Sequence, residues 1–222
     1  MSHTAHQADA KPHPKLQSHF YSMDQQLEAS TLGMWVFLVT EVMFFGGLFA
    51  AYMVYRNMYP EAWVHASHEL NWQLGGLNTM VLIVSSLTMA LAVRAAMLGD
   101  RGQQVVNLTL TILLGCVFLV VKYFEYKAKF EHHLVPGPHF NPELPLGSQI
   151  FFSLYFVMTG IHAAHMVIGI VMMAIILRMA AKGAFTPEYF APVEVAGLYW
   201  HFVDIVWIFL FPLLYLLGRH GA

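Results

Sequence analysis

Two carboxylates and three imidazoles stand inside otherwise apolar stretches of this chain, and their spacing sets what chemistry they could do. His201 and Asp204 lie three residues apart in Trp200-His201-Phe202-Val203-Asp204-Ile205-Val206-Trp207. On a helix that offset puts both on one face, where the two can pair, join helices, pass a proton or meet a partner. Glu41 lies in Val39-Thr40-Glu41-Val42-Met43-Phe44-Phe45. A carboxyl among such neighbours needs a proton or a hydrogen bond. It reads as a proton-relay acid, a polar staple to another helix, or a group meeting a lipid or a partner subunit. His162 and His165 repeat the three-residue offset in Thr159-Gly160-Ile161-His162-Ala163-Ala164-His165. A shared face would suit a metal or a haem if further ligands converged on it, and interhelical hydrogen bonds otherwise. The sequence has no Glu-x-x-His pair of the di-iron bundle type, so no metal ligand set is expected. The first expectation for His162, His165, His201 and Asp204 is structural polar contact within the membrane, with proton transfer or partner contact left open for His201 and Asp204. Lys122 and Glu125, with Tyr126 beside them, read as an interfacial ion pair with an aromatic anchor, the long side chains snorkelling to water.

Membrane-spanning helices are the elements that must position these groups. The 222 residues are 58% hydrophobic and only 11% charged, against about a quarter charged in soluble domains. Five runs long enough to cross a bilayer follow one another: 29–55, whose only charged residue is Glu41, then 70–93, 102–121 and 144–177 with none, and 195–218 with only Asp204. These runs are unbroken rather than alternating, which excludes a membrane β-barrel. The expected fold is all-α, an integral membrane bundle of five transmembrane helices. A polar tail is expected over 1–28 and a single domain over 29–222, with spans at about 31–56, 73–97, 103–126, 148–179 and 194–218. The fourth run exceeds one perpendicular crossing, so it is expected to tilt, kink or begin as an interfacial lead-in near Pro145 and Gly147. Gly46, Gly47, Ser85, Ser86, Gly160, Ala164 and Gly169 would let helices approach closely, the Gly46-Gly47 pair above all.

Several functions are excluded or left without support. The net charge of −2 and the lack of a basic run give nucleic acid no electrostatic footprint. Cys116 is the only cysteine, so no intramolecular disulfide is possible, and it is expected as a small core residue. There is no phosphate loop, dinucleotide fingerprint or serine elbow. The histidines of the tail, His3, His6, His13 and His19, lack ligand spacing and read as part of a solvated extension. The connector with His132, His133, His139, Pro136, Pro138 and Pro142 is a candidate cap on a partner. Positive charge leaves the orientation open. Lys11, Lys15, Arg94, Arg101, Arg178 and Lys182 fall on one side, against Arg56, Lys122, Lys127, Lys129 and Arg219 on the other. A small membrane bundle with no complete active site is most readily part of a larger complex. A free-standing proton-coupled transporter using Glu41 and Asp204, or a b-type cytochrome on His162, His165 and His201, stands as the alternative.

Four segments resemble subunit III of the haem-copper respiratory oxidases, the cytochrome c oxidase family. They are Trp35 to Phe45 around Glu41, Leu77-Asn78-Thr79 with Ser85-Ser86, Thr159 to Gly169 with its two histidines, and Tyr199 to Trp207. The order and spacing are similar across residues 31–218, and the chain looks like the five-helix bacterial form. The resemblance implies a non-catalytic accessory subunit of a proton-translocating oxidoreductase. Such a subunit carries no cofactor and stabilises a catalytic subunit I that holds the haems and copper. It also implies bound phospholipid near Glu41, support of proton uptake and oxygen access, contact with the other oxidase subunits, and a place in a respiratory supercomplex. The expected location is the bacterial plasma (inner) membrane, multi-pass, with the amino terminus cytoplasmic. The equivalent subunit of a quinol oxidase or of a nitric oxide reductase complex is the alternative within the same resemblance.

Overall fold

The computed structural model describes residues 14–138, 140–142, 144–145 and 147–217. His3, His6, Lys11, Pro12, His13, His139, Glu143, Gly218 and Arg219 lie outside the described residues. In chain order come α1 (Met23–Met58), α2 (Pro60–His68), α3 (Trp72–Met97), α4 (Arg101–Glu131), α5 (Ser148–Ala181) and α6 (Ala191–Phe211), which ends in a π-helical turn, Pro212–Leu216. Five of these helices, α2 excepted, are long and apolar enough to cross a membrane. No strand is present among the described residues, and the all-α fold is the one the sequence led us to expect.

Local chemistry sets the helix starts. Ser22, Asn71 and Asp100 cap α1, α3 and α4, their side-chain oxygens accepting from the amides of Gln25, of Gln73 and Leu74, and of Gln103. The Ser22 cap makes α1 begin at Met23, inside the stretch expected as polar tail and ahead of the expected start near 31. At the other end of the fold, Pro212 has no amide proton to give the preceding turn. The helix widens there, Leu217 N donates to the Pro212 carbonyl five residues back, and Tyr52 Oη of α1 donates to the Leu213 carbonyl at 2.5 Å.

The core is assembled from seams that alternate steps of three and four. On α4 the buried residues are Gln104, Leu108, Thr111, Gly115, Phe118, Lys122, Glu125 and Lys129. On α3 the seam includes Gly75, Asn78, Leu82, Ser85, Met89 and Ala92. That 3.5-residue repeat is the mark of left-handed helix packing. α3 packs on α4 and α6, α5 packs on α4 and α6, and α1 lies outside against α5 and α6. Trp200 of α6 joins the seams, its indole wholly buried and its Nε1 donating to Ser85 Oγ at 3.0 Å. A Cβ added at Gly115 or Gly169 would come within 2.8 and 2.9 Å of that indole, so both helices approach α6 at positions only glycine permits. Gly46 and Gly47 have nothing within 4 Å of an added Cβ, so the tight contact expected of them is not made inside the chain. Cys116, expected in the core, is exposed, because the α4 seam turns its neighbour Gly115 inward.

Candidate functional site: polar groups within the bundle

Glu41, midway along α1, meets His165 of α5, with Oε2 and Nε2 3.2 Å apart and both side chains less than a fifth exposed. His165 Nδ1 lies 2.9 Å from the Ile161 carbonyl, which can only accept, so Nδ1 carries a proton. Nε2 then either accepts from a neutral Glu41 carboxyl or donates, as imidazolium, to a carboxylate. In both cases one proton is shared by a pair that staples α1 to α5. Phe45 and Tyr199 flank the imidazole, and Tyr199 Oη donates to the His165 carbonyl at 3.1 Å.

His162 does not share that setting. Its ring is fully buried, lies 5.4 Å from Phe118 and 5.2 Å from Trp207 between centroids, and neither nitrogen has a hydrogen-bond partner among the described residues. The i,i+3 offset therefore splits the two histidines, one into the core seam and one to its edge facing α1. The interhelical hydrogen bond expected of His162 is replaced by aromatic packing. His201 and Asp204 are also not paired. His201 Nδ1 is 2.7 Å from Ser86 Oγ of α3, an interhelical bond that takes the imidazole away from the carboxyl. Asp204 is 3% exposed, and neither oxygen forms a hydrogen bond of good geometry with a described residue, although the Ser86 hydroxyl stands beside it. Together Ser86, His201 and Asp204 line a groove of about 400 Å³ between α3 and α6.

Lys122 and Glu125 form the most fully bonded polar cluster, and they are enclosed by neighbouring helices instead of snorkelling to water. Both are buried, because they continue the α4 seam of Gly115 and Phe118 rather than reaching for water. Lys122 Nζ donates to Glu125 Oε2 at 2.8 Å and to Tyr215 Oη at 2.6 Å. Glu125 Oε1 accepts from Tyr155 at 3.0 Å and from Tyr215 at 2.5 Å. The ammonium also sits 4.5 Å from the Trp207 ring centroid, within cation–π reach. A buried ion pair persists only when its remaining donors and acceptors are met, and the two tyrosines do this. Tyr155 and Tyr215 were missed by sequence reasoning. The signal for the seam was present in the three-and-four spacing of α4, but the tyrosines come from α5 and from the π-helical turn, which no local pattern connects. Tyr126 anchors the neighbouring seam, its hydroxyl 2.5 Å from Thr159 Oγ1.

No group of three or more His, Cys, Asp or Glu side chains that could hold a metal occurs among the described residues, and the three intraspan histidines meet different neighbours. What the arrangement can do chemically is hold protons and helices in place. The Glu41–His165 pair shares a proton at the edge of the bundle, and the Lys122 cluster fixes α4, α5 and the end of α6.

Comparison with known proteins supplies the context for these contacts. The family profile described as cytochrome c oxidase subunit III matches residues 18–219. Cytochrome c oxidase subunit 3 of Corynebacterium diphtheriae is 37% identical over 187 residues, covering 83% of this chain and 86% of the relative. Quinol oxidase subunit 3 of Bacillus spizizenii is 34% identical over 190 residues, covering 86% and 88%. Cytochrome c oxidase subunit 3 of Gadus morhua is 33% identical over 203 residues, covering 84% and 69%. That family is generally cofactor-free. With the match running through all five long helices, the chain belongs to the cytochrome c oxidase subunit III family.

Proposed function

We propose that this chain is the accessory subunit of an aerobic terminal oxidase, docked on a catalytic subunit I that holds the haems and copper and stabilising it during turnover. The observation that carries the reading is the family match over residues 18–219. The chain's own chemistry supports it. The Lys122–Glu125 cluster and the Trp200–Ser85 bond serve packing, while α1, with Trp35, Val36, Val39, Val42 and Met43 exposed, presents a long apolar face to lipid or to other subunits. The Glu41–His165 pair, at the edge of that face, is where bound phospholipid and proton uptake would be felt. The chain resides in the bacterial plasma membrane with its amino terminus in the cytoplasm. Cytochrome c is the donor we favour. The similar identity to quinol oxidase subunit 3 of Bacillus spizizenii supports quinol as the second reading.

The test is purification of the tagged chain from its native membrane in mild detergent, with an optical spectrum and an oxygen-consumption assay. Co-purification of a haem-bearing subunit whose oxidase activity is driven by reduced cytochrome c supports the first reading, and activity with quinol alone supports the second. A colourless chain recovered by itself from intact membranes overturns both. In the assembled oxidase, Glu41→Gln is expected to preserve assembly while shortening the lifetime under turnover or lowering the proton yield. Unchanged values for both would leave Glu41 a staple and nothing more.

A further inference from the structure

The groove between α3 and α6 sets a buried carboxyl into an apolar wall. Leu82, Ile83, Leu87, Ala90, Ile205 and Ile208 form its walls, and the Asp204 carboxyl, 3% exposed, has no hydrogen-bond partner of good geometry for either oxygen. The Ser86 hydroxyl, which also meets His201 Nδ1, has a single proton and can donate to at most one of the two oxygens. Buried polar groups in a membrane are met by partners, and at least one Asp204 oxygen has none of good geometry among the described residues. The second large groove, about 480 Å³ between α1 and α6, is different. Its walls are Trp35, Leu38, Phe45, Phe49 and other apolar residues, with His201 the single titratable side chain, and nothing in it demands a polar occupant.

Depth narrows what can meet Asp204. The last span, Ala191–Leu216, has 26 residues, and Asp204 is near its middle, about 20 Å along the axis from either end at 1.5 Å per residue. Lipid head groups stay outside a hydrocarbon core about 30 Å thick, so a phospholipid would bring only acyl chain to that depth. A transmembrane helix can carry a polar side chain at any depth. The walls suit one: Ser86 and Ala90 are small and one turn apart on α3, while Ile83, Leu87, Ile205 and Ile208, all between 45% and 60% exposed, stand as ridges on either side.

We infer that the α3–α6 groove seats a transmembrane helix of another oxidase subunit, which brings a hydrogen-bond donor side chain to the Asp204 carboxyl. This rests on the accessory-subunit reading and adds to it the docking face and the polar contact that fixes the depth of docking.

The experiment uses the assembled oxidase in native membranes. A photoreactive benzoylphenylalanine placed at Leu87, an exposed residue of the groove wall, is expected to give an adduct with a second oxidase subunit on irradiation. Adducts with phospholipid alone, in a preparation that still contains the haem-bearing subunit, overturn the docking face and leave the accessory reading standing. Loss of the haem-bearing subunit from the unsubstituted protein overturns both. For the polar contact, Asp204→Leu is expected to lower the fraction of chain retained on the complex after a detergent wash by about tenfold, the size of one of the stronger intramembrane hydrogen bonds. Asp204→Asn, which keeps an acceptor, is expected to recover most of it. Equal retention of Leu, Asn and wild-type chains overturns the contact. If Asp204→Leu fails to accumulate, the photoadduct and the Asn variant decide the matter.

Discussion

Removing Glu125 is the sharpest test of how the bundle is held together. Glu125→Leu keeps roughly the same volume in the α4 seam but leaves the Lys122 ammonium buried without its counter-charge and takes away the acceptor of the Tyr155 hydroxyl. Breaking one side of a buried ion pair costs about 3–5 kcal/mol. By the scaling of soluble domains of about 200 residues, 1 kcal/mol moves Tm by about 2–4 °C, so the variant is expected to melt about 6–20 °C below wild type. Lys122→Met on the same background removes the stranded charge. The double variant should then lose only what the two tyrosine hydroxyls lose, about 1–3 kcal/mol, and melt above Glu125→Leu alone. Thermal melts of the purified chain in one detergent, followed by circular dichroism, give the full double-mutant cycle. Strict additivity, or a Glu125→Leu shift smaller than about 2 °C, would mean that water reaches Lys122 and that the burial argument is wrong.

Other expectations follow from the same geometry. Gly115→Ala would bring a Cβ within 2.8 Å of the Trp200 indole and is expected to destabilise the chain by about 1–3 kcal/mol, whereas Gly47→Ala, with open space, should be neutral or raise stability by up to about 1 kcal/mol in the isolated chain. Melts of the two variants side by side check this, and equal shifts would refute the close approach. Glu41→Leu and His165→Phe should couple in a double-mutant cycle by about 0.6 kcal/mol and by no more than about 1.7, the range of intramembrane hydrogen bonds. A coupling near zero would remove the staple between α1 and α5. Cys116, exposed on the outer face of α4, is expected to react with a membrane-permeant maleimide without unfolding the chain. Labelling only after denaturation, in the chain freed of other subunits, would return it to the core.

The features readable in the sequence were those fixed along one helix, and the features missed were those fixed between helices. Five spans follow from the length of the apolar runs, because a bilayer imposes length directly on the chain. The burial of Lys122 and Glu125 was also readable, since Gln104, Leu108, Thr111, Gly115, Phe118, Lys122, Glu125 and Lys129 keep one alternation of fours and threes. Local composition pointed the other way, to charges at the end of an apolar run, and the repeat proved the stronger signal because a seam continues as long as neighbouring helices cover it. The encounters of Glu41 with His165 and of Ser86 with His201 follow no spacing within one span. They depend on α1 lying against α5 and on α3 lying against α6, so same-helix pairs such as His201 with Asp204 were favoured in their absence. An i,i+3 offset is a statement about proximity on one cylinder, and in a bundle each side of that cylinder meets a different neighbour. His162 and His165 therefore part company, and so do His201 and Asp204. The consequence differs between the two pairs. His162 is enclosed by Phe118 and Trp207 within the core, whereas Asp204 is left at the wall of an open groove, where a group from outside the chain can complete it.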